Sequence, residues 1–397
     1  MGEEWIAVRI SDVAQAVIPS RIRRIASLAD AHPGTLRLFV GEDTRPTPAF
    51  IKEAAVRAIG ENLTYYTPNA GYPAVRSAVA DRVRSLHGAA VDPEREVILT
   101  CGGMNAIVLA YQATLGPGTS AVIITPSWPN LMESARATGA EVLECPLKLE
   151  GDRFELDWDL LERTIRADTR ILALASPGNP TGWTASHADW ARLAAVAARR
   201  GLWLLADGAY ERIVSDGAAA PNLLSLPEAR PRTIHVNTMS KAYRMTGWRL
   251  GYLIAPPDIT ERMTHLQEFV VSHAPGIVQE AARIALEQGE PSIAEDQARY
   301  TRHRELAWNR LRQLPGLHVP RPQGAFYLFP RVLGLNDTMS YCEHLVRSHR
   351  VGFAPGAAFG AGGEGHLRIC FAVDEHVLNE ALDRFASAWV RDRELLT

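Results

Sequence analysis

RILALASPGNPTGWTASHADWARLAAVAARRGLWLLADGAY, residues 170–210, reads as strand, turn, helix and strand in succession. RILALASP (170–177) is a continuous apolar run, and the prolines and glycines after it form a tight loop. ADWARLAAVAARRG (188–201) spaces its apolar residues as a helix does and ends on glycine. LWLLADGAY (202–210) is a second apolar run. Strands apolar on both faces, separated by helices, belong to a mostly parallel sheet covered on each side.

The same alternation extends in both directions. EVILT (96–100) leads into the helical MNAIVLAYQATLG, AVIITP (121–126) precedes NLMESARATG, and EVLECPL (141–147) follows. TIHVNTMS (233–240) and WRLGYLIAP (248–256) continue the series. In open α/β sheets ligands sit beyond the carboxyl ends of the strands. Gly102–Gly103, Trp128, Asn179, Asp207 and Lys241 fall at such ends. After about residue 290 the texture changes to a charged helix, short strands around GAFYLFP and HLRICFA, and a closing helix. The expected division is residues 1–48 as an N-terminal arm and part of a smaller α+β domain, 49–290 as the large domain, and 291–397 as the rest of the smaller one. Internal repeats and low-complexity tracts are absent from the sequence.

A formal charge of −3 over 397 residues gives no electrostatic case for nucleic acid or a membrane surface. No apolar run reaches the roughly 18 residues of a transmembrane helix, and MGEEWIAVRI lacks the charged and apolar regions of a signal peptide. Cys101, Cys145, Cys342 and Cys370 lack metal-ligand spacing, so no metal is expected. These features lead to the expectation of a cytoplasmic protein.

Of the 42 lysines and arginines, three are lysine: Lys52, Lys148 and Lys241. Arginine stays protonated, whereas a desolvated lysine loses its proton and can form a Schiff base. Lys241 follows Thr238 and Ser240 at a strand end, with Arg249 eight residues on. An amine for an aldehyde, beside hydroxyl and guanidinium donors for a phosphate, points to pyridoxal 5′-phosphate. Asp207 emerges from a buried run, where a protonated pyridine nitrogen would pair it and keep the ring an electron sink. Tyr210 and Asn179 are donors suited to a phenolic oxygen, and Trp128 offers a flat face. Gly102 and Gly103 open a helix whose free N–H groups bind anions, although a Gly-Gly pair is also an ordinary turn. Arg368, between apolar residues, can grip a carboxylate with two bonds.

In their order these stretches, YYTPNAGYPAVR, GGMNAI, PSWPN, SPGNPTG, ADGAY, SKAYRMTGWRLGY and HLRICFA, resemble the class I/II aminotransferase family of fold-type-I pyridoxal-phosphate enzymes, over essentially the whole chain. The resemblance implies a transferase in which Lys241 forms the internal aldimine and then shuttles a proton. It implies Asp207 on the pyridine nitrogen, Asn179 and Tyr210 on the phenolic oxygen, and Trp128 on the ring. The phosphate would be held by Gly102, Gly103, Met104, Thr238, Arg249 and Tyr66 of the other protomer of a homodimer. Arg368 and the backbone at Gly41 would hold the substrate α-carboxylate. The substrates would be an L-amino acid and a 2-oxo acid.

Two features depart from the pattern. Glu268 stands where aspartate-type members carry an arginine, donated by the partner subunit, for the distal carboxylate, and Gly208–Ala209 replaces a commoner Glu-x pair. If Glu268 faces substrate, a cationic amino acid is preferred, and the alternative is an elimination, cyclisation, bond-forming or oxidative enzyme on such a substrate. Arg45 is a further candidate at the mouth of the site. A non-catalytic binding protein is disfavoured, because it need not keep Lys241, Asp207, Tyr210, Arg249 and Arg368 together.

Overall fold

The computed structural model describes residues 9–392, so most of the start read above for targeting signals lies outside it. Seven strands form the central sheet: β1 (Val97–Thr100), β2 (Ser120–Thr125), β3 (Glu141–Pro146), β4 (Thr169–Ala175), β5 (Trp203–Asp207), β6 (Thr233–Thr238) and β7 (Gly251–Ile254). Their spatial order is β1-β7-β6-β5-β4-β2-β3. Each neighbouring pair is parallel except those made by β7, which runs antiparallel to both β1 and β6. Antiparallel neighbours need no crossover helix, and residues 239–250 join β6 to β7 as a short loop. That loop carries Lys241. The expected strand 248–256 starts three residues late, because residues 246–248 form a 3-10 turn and Arg249 adopts a left-handed conformation (φ 55°).

The helices that bear on the site are α1 (Arg21–Asp30), α2 (Gly102–Thr114), α3 (Pro129–Arg136), α4 (His187–Arg200), α5 (Pro257–Val270), α6 (Glu290–Leu311), α7 (Thr338–His344) and α8 (Glu375–Arg391). Alternate strand residues bury into different cores, as the two-residue strand period requires. Ile171, Ala173 and Leu205 pack with Ile107 and Leu109 of α2, Leu131 of α3 and Met263 of α5. Leu172, Leu174 and Leu204 turn the other way, onto Trp190, Leu193 and Val196 of α4. This second core continues into the C-terminal part through Phe326, Phe353, Phe385 and Trp389. There Leu367–Cys370 pairs antiparallel with Tyr327–Leu328 and Ala354–Pro355, and the short strand Leu36–Arg37 pairs parallel with Val351–Gly352.

Gly251 is where β7 meets the start of α2. A Cβ there would stand 2.6 Å from both the Asn237 carbonyl oxygen and the Gly103 nitrogen, and both are backbone atoms that cannot swing away. Gly251→Ala should therefore lower stability by about 1–3 kcal/mol in denaturant unfolding. Gly116→Ala, whose Cβ meets nothing within 4 Å, should stay within about 0.5 kcal/mol of the parent. Equal stabilities for the two variants would contradict this packing.

Candidate active site

The carboxyl ends of β4, β5 and β6 open into a cleft of about 620 Å³. Lys241, Asp207, Tyr210, Asn179, Thr238, Arg249, Arg368, Trp128, Gly41, Gly103 and Met104 all line it. Sequence positions from 41 to 368 are thus brought to one place by the strand ends. Gly102 lies just behind the wall, where a Cβ would stand 2.6 Å from Arg249 Nη2. Tyr66 and Glu268 do not line this cleft, and both are exposed. Arg45 does not line it either. Its guanidinium pairs with Asp296 and Glu295 and is 3.9 Å from Asp43, in an adjoining groove.

Three charged groups in the cleft lack ordinary partners. Arg368 is 2% exposed and its Nη1 donates to Asn179 Oδ1 at 3.0 Å. Its Nη2 donates to the Phe39 carbonyl, while Nε is buried without a partner. The rings of Tyr327 and Phe359 lie 4.5 and 5.0 Å from the guanidinium carbon. Among the described residues no carboxylate forms an ion pair with it. A buried guanidinium held by neutral acceptors is poised for an incoming carboxylate.

Asp207 closes β5, and one of its oxygens accepts from the Ala209 N–H at 3.0 Å. Burial pushes its carboxyl up to about 6, against a partial offset from Ala209 N–H and from Lys241. Lys241 Nζ donates to the Gly41 carbonyl at 2.6 Å. Desolvation lowers its amine to about 8, with the Arg368 and Arg249 charges pushing the same way against an upward pull from Cys370 and Glu42. Part of the Lys241 population is therefore free base near neutral pH, as a nucleophile or proton carrier requires. Lys148, by contrast, is exposed and ion-paired to Asp157, which raises its amine.

The anion-binding end is equally built. α2 begins at Gly102 with no side-chain cap, so its first N–H groups are free for an anion. Thr238 Oγ1 lies 2.9 Å from Ser240 Oγ, and the left-handed Arg249 lines the same end. A phosphate cup, a carboxylate for a ring cation and a depressed lysine fit pyridoxal phosphate together. Tyr327 is a residue the sequence reading missed. Its hydroxyl is 2.6 Å from that of Tyr210, and a Cβ at Gly41 would collide with it. GAFYLFP gave no local signal for this, because the contact joins the turn after β5 to a strand 117 residues later. Glu42, which accepts from Thr246 Oγ1, and Arg23 of α1 also line the cleft and were not anticipated.

The raised Asp207 carboxyl has a pH signature in protein stripped of small molecules. Its folded value lies above the ordinary 3.8, so the fold binds this proton more tightly than the unfolded chain does. The resulting stabilisation is complete below pH 3.8 and lost as pH rises through about 6. Asp207→Asn does not titrate. From pH 4 to 7, wild type should therefore lose roughly 2–3 kcal/mol relative to the variant in denaturant unfolding. A difference independent of pH would contradict a desolvated, unpaired Asp207.

Comparison with known proteins agrees with this geometry. Residues 36–385 match the family model described as aminotransferase class I and II. The chain is 35% identical over 379 residues to aromatic-amino-acid aminotransferase 2 of Thermococcus litoralis, covering 94% of this chain and 97% of that protein. It is 33% identical over 389 residues to the aspartate aminotransferase of Pyrococcus abyssi, covering 97% and 99%. The solved aromatic aminotransferase of Pyrococcus horikoshii superposes with a TM-score of 0.87 at 33% identity, covering 94% of this chain and 100% of that one. With a parallel sheet whose strand ends gather a depressed lysine, a buried aspartate, an uncapped helix start and an unpaired arginine, the chain belongs to the class I and II aminotransferase family and is a pyridoxal-phosphate-dependent aminotransferase.

Proposed function

We propose that this aminotransferase acts on L-amino acids with uncharged side chains, aromatic ones included, and passes their nitrogen to a 2-oxo acid. The observation that carries this is the cleft wall around Arg368. Ile22, Ala26, Val40 and Ile107 supply apolar surface in the same cleft, with Asn130 and the charged Arg23 and Glu42 as their neighbours. The relative named for aromatic amino acids supports the same class, while another is named for aspartate. Glu268 is exposed and off the cleft of its own chain, next to the exposed Phe269. The relatives' names do not favour the non-transaminating alternative.

Bound in this cleft, pyridoxal phosphate would supply an aldehyde for the lysine amine and a ring that draws electrons from the substrate Cα–H bond. The chain's own residues would do the rest. The α2 start with Gly102, Gly103 and Met104, together with Thr238 and Arg249, would hold the phosphate. Asp207 would stay anionic beside the ring nitrogen, and Asn179 and Tyr210 would donate to the phenolic oxygen. Trp128 would cover one ring face. Arg368 and the backbone at Gly41 would orient the substrate α-carboxylate. Lys241 would take the Cα proton and return it.

A homodimer is part of this reading. Tyr65, Tyr66 and Phe269 are 78%, 91% and 86% exposed, with Val270 and Val271 beside them in sequence. The Tyr66 ring packs edge-on against His273 at 5.6 Å, which joins the two segments into one apolar patch. Burial of such a patch against a second copy would bring Tyr66 toward the other protomer's phosphate cup. No helix among the described residues is long and apolar enough to cross a membrane, and the composition supports a cytoplasmic location.

Mixed with phenylalanine and no oxo acid, the loaded enzyme should release one equivalent of the matching oxo acid per site. It should favour phenylalanine over aspartate and arginine in kcat/KM by at least about tenfold, the order expected when a charged side chain enters an apolar wall. Lys241→Ala should slow release by roughly a hundredfold or more. Preference for aspartate or arginine would overturn the substrate class, and release of a product other than the oxo acid would overturn the reaction. In sedimentation the parent should have the mass of two chains and Phe269→Asp that of one; an unchanged dimer in the variant would move the interface elsewhere.

A further inference from the structure

The C-terminal part of the fold holds a second set of ligating side chains outside the cleft. α7 ends at His344, and residues Leu345–His349 continue from it as a π-turn. Five residues advance about 500° along an α-helix, so His344 and His349 would point apart there. The wider π-turn brings them back to one face, and such turns are frequently functional. Asp392, just past the end of α8, faces both histidines. Its Oδ2 is 2.9 Å from His344 Nε2 and 2.8 Å from His349 Nε2. The three ligand atoms all lie within 4.8 Å of one another.

We propose that His344, His349 and Asp392 bind a divalent first-row transition ion of the zinc or cobalt type, with water completing its coordination, and so clasp the end of α8 to the π-turn. Two imidazoles and one carboxylate are the donor set such ions take, with an open position left for solvent. Tetrahedral bonds of ordinary zinc lengths would hold each imidazole nitrogen about 3.3 Å from the carboxylate oxygen. The present distances need to widen by about half an ångström to reach that spacing. Ser348 Oγ stands 3.4 Å from His344 Nδ1, where it would fix the tautomer that leaves Nε2 as the ligand. Tyr341, one turn before His344, is 4% exposed and its hydroxyl is buried without a partner. His349 and Asp392 side chains are each 13% exposed while His344 is 32% exposed, so an ion would enter from the His344 side.

The test is calorimetric titration of Zn2+ alone, and separately Co2+ alone, into the chelator-treated enzyme carrying its cofactor. We expect one ion per chain, a higher melting temperature with metal, and a Co2+ absorption spectrum of nitrogen ligation. His349→Gln and Asp392→Asn should each weaken binding at least about tenfold, with the cofactor spectrum and turnover unchanged. His344→Gln, at the most exposed of the three positions, should do the same and keeps the test open if either other variant fails to fold. No binding tighter than millimolar, or binding that persists in His344→Gln, would overturn the proposal. Persistence would locate the ion on other groups, the bound cofactor among them.

Discussion

Arg368 and Asp207 are charges removed from water without an oppositely charged side chain against them, and the architecture of the cleft follows from keeping them there. A lone buried ion is costly, and a protein ordinarily neutralises it by pairing or by a shifted pKa. Here Arg368 is restrained by the Asn179 amide oxygen and the Phe39 carbonyl, with aromatic rings close by. Asp207 has one backbone N–H and a carboxyl driven upward by burial. Both charges become favourable when a small molecule brings a carboxylate to one and a ring cation to the other. Binding energy is thus stored in the protein as unmet electrostatic demand, and the demand selects for amino acids and for this cofactor.

The sheet meets this demand through its one reversed strand. β4 and β5 deliver Asn179 and Asp207 at adjacent carboxyl ends, as parallel strands must. A further crossover helix after β6 would have carried the chain away from the cleft. Because β7 turns straight back, the loop 239–250 stays at the strand ends and presents Lys241 and Arg249 to the same space. The return is possible because Gly251 lets β7 run against the backbone of Asn237 and Gly103. The lysine is then desolvated by the surrounding walls rather than by one neighbour, which is why its amine falls while the exposed Lys148 amine rises.

Much of this was legible in the sequence because it is local. Apolar runs of strand length, a glycine pair before a helix and a rare lysine after a strand each lie within a few residues, and together they placed most of the cleft. Contacts between distant segments were not legible. Tyr327 meets Tyr210 across 117 positions, and nothing in GAFYLFP sets its tyrosine apart from neighbouring core aromatics. Arg45 lies four residues from Gly41 in the chain, but Asp296 and Glu295 on α6 draw it into the adjoining groove. The π-turn after α7 was equally hidden, since HLVRSH carries an ordinary helical pattern.

Of the three lysines Lys241 alone lines the cleft, and the scarcity of lysine makes its role in holding the cofactor directly testable. Borohydride reduction of the loaded enzyme fixes the cofactor to whichever amine carries it, and peptide mass mapping then reads the position. The added mass is expected on the peptide containing Lys241, with the Lys52 and Lys148 peptides unmodified. The cofactor fixed at Lys52 or Lys148, or at no lysine, would contradict it.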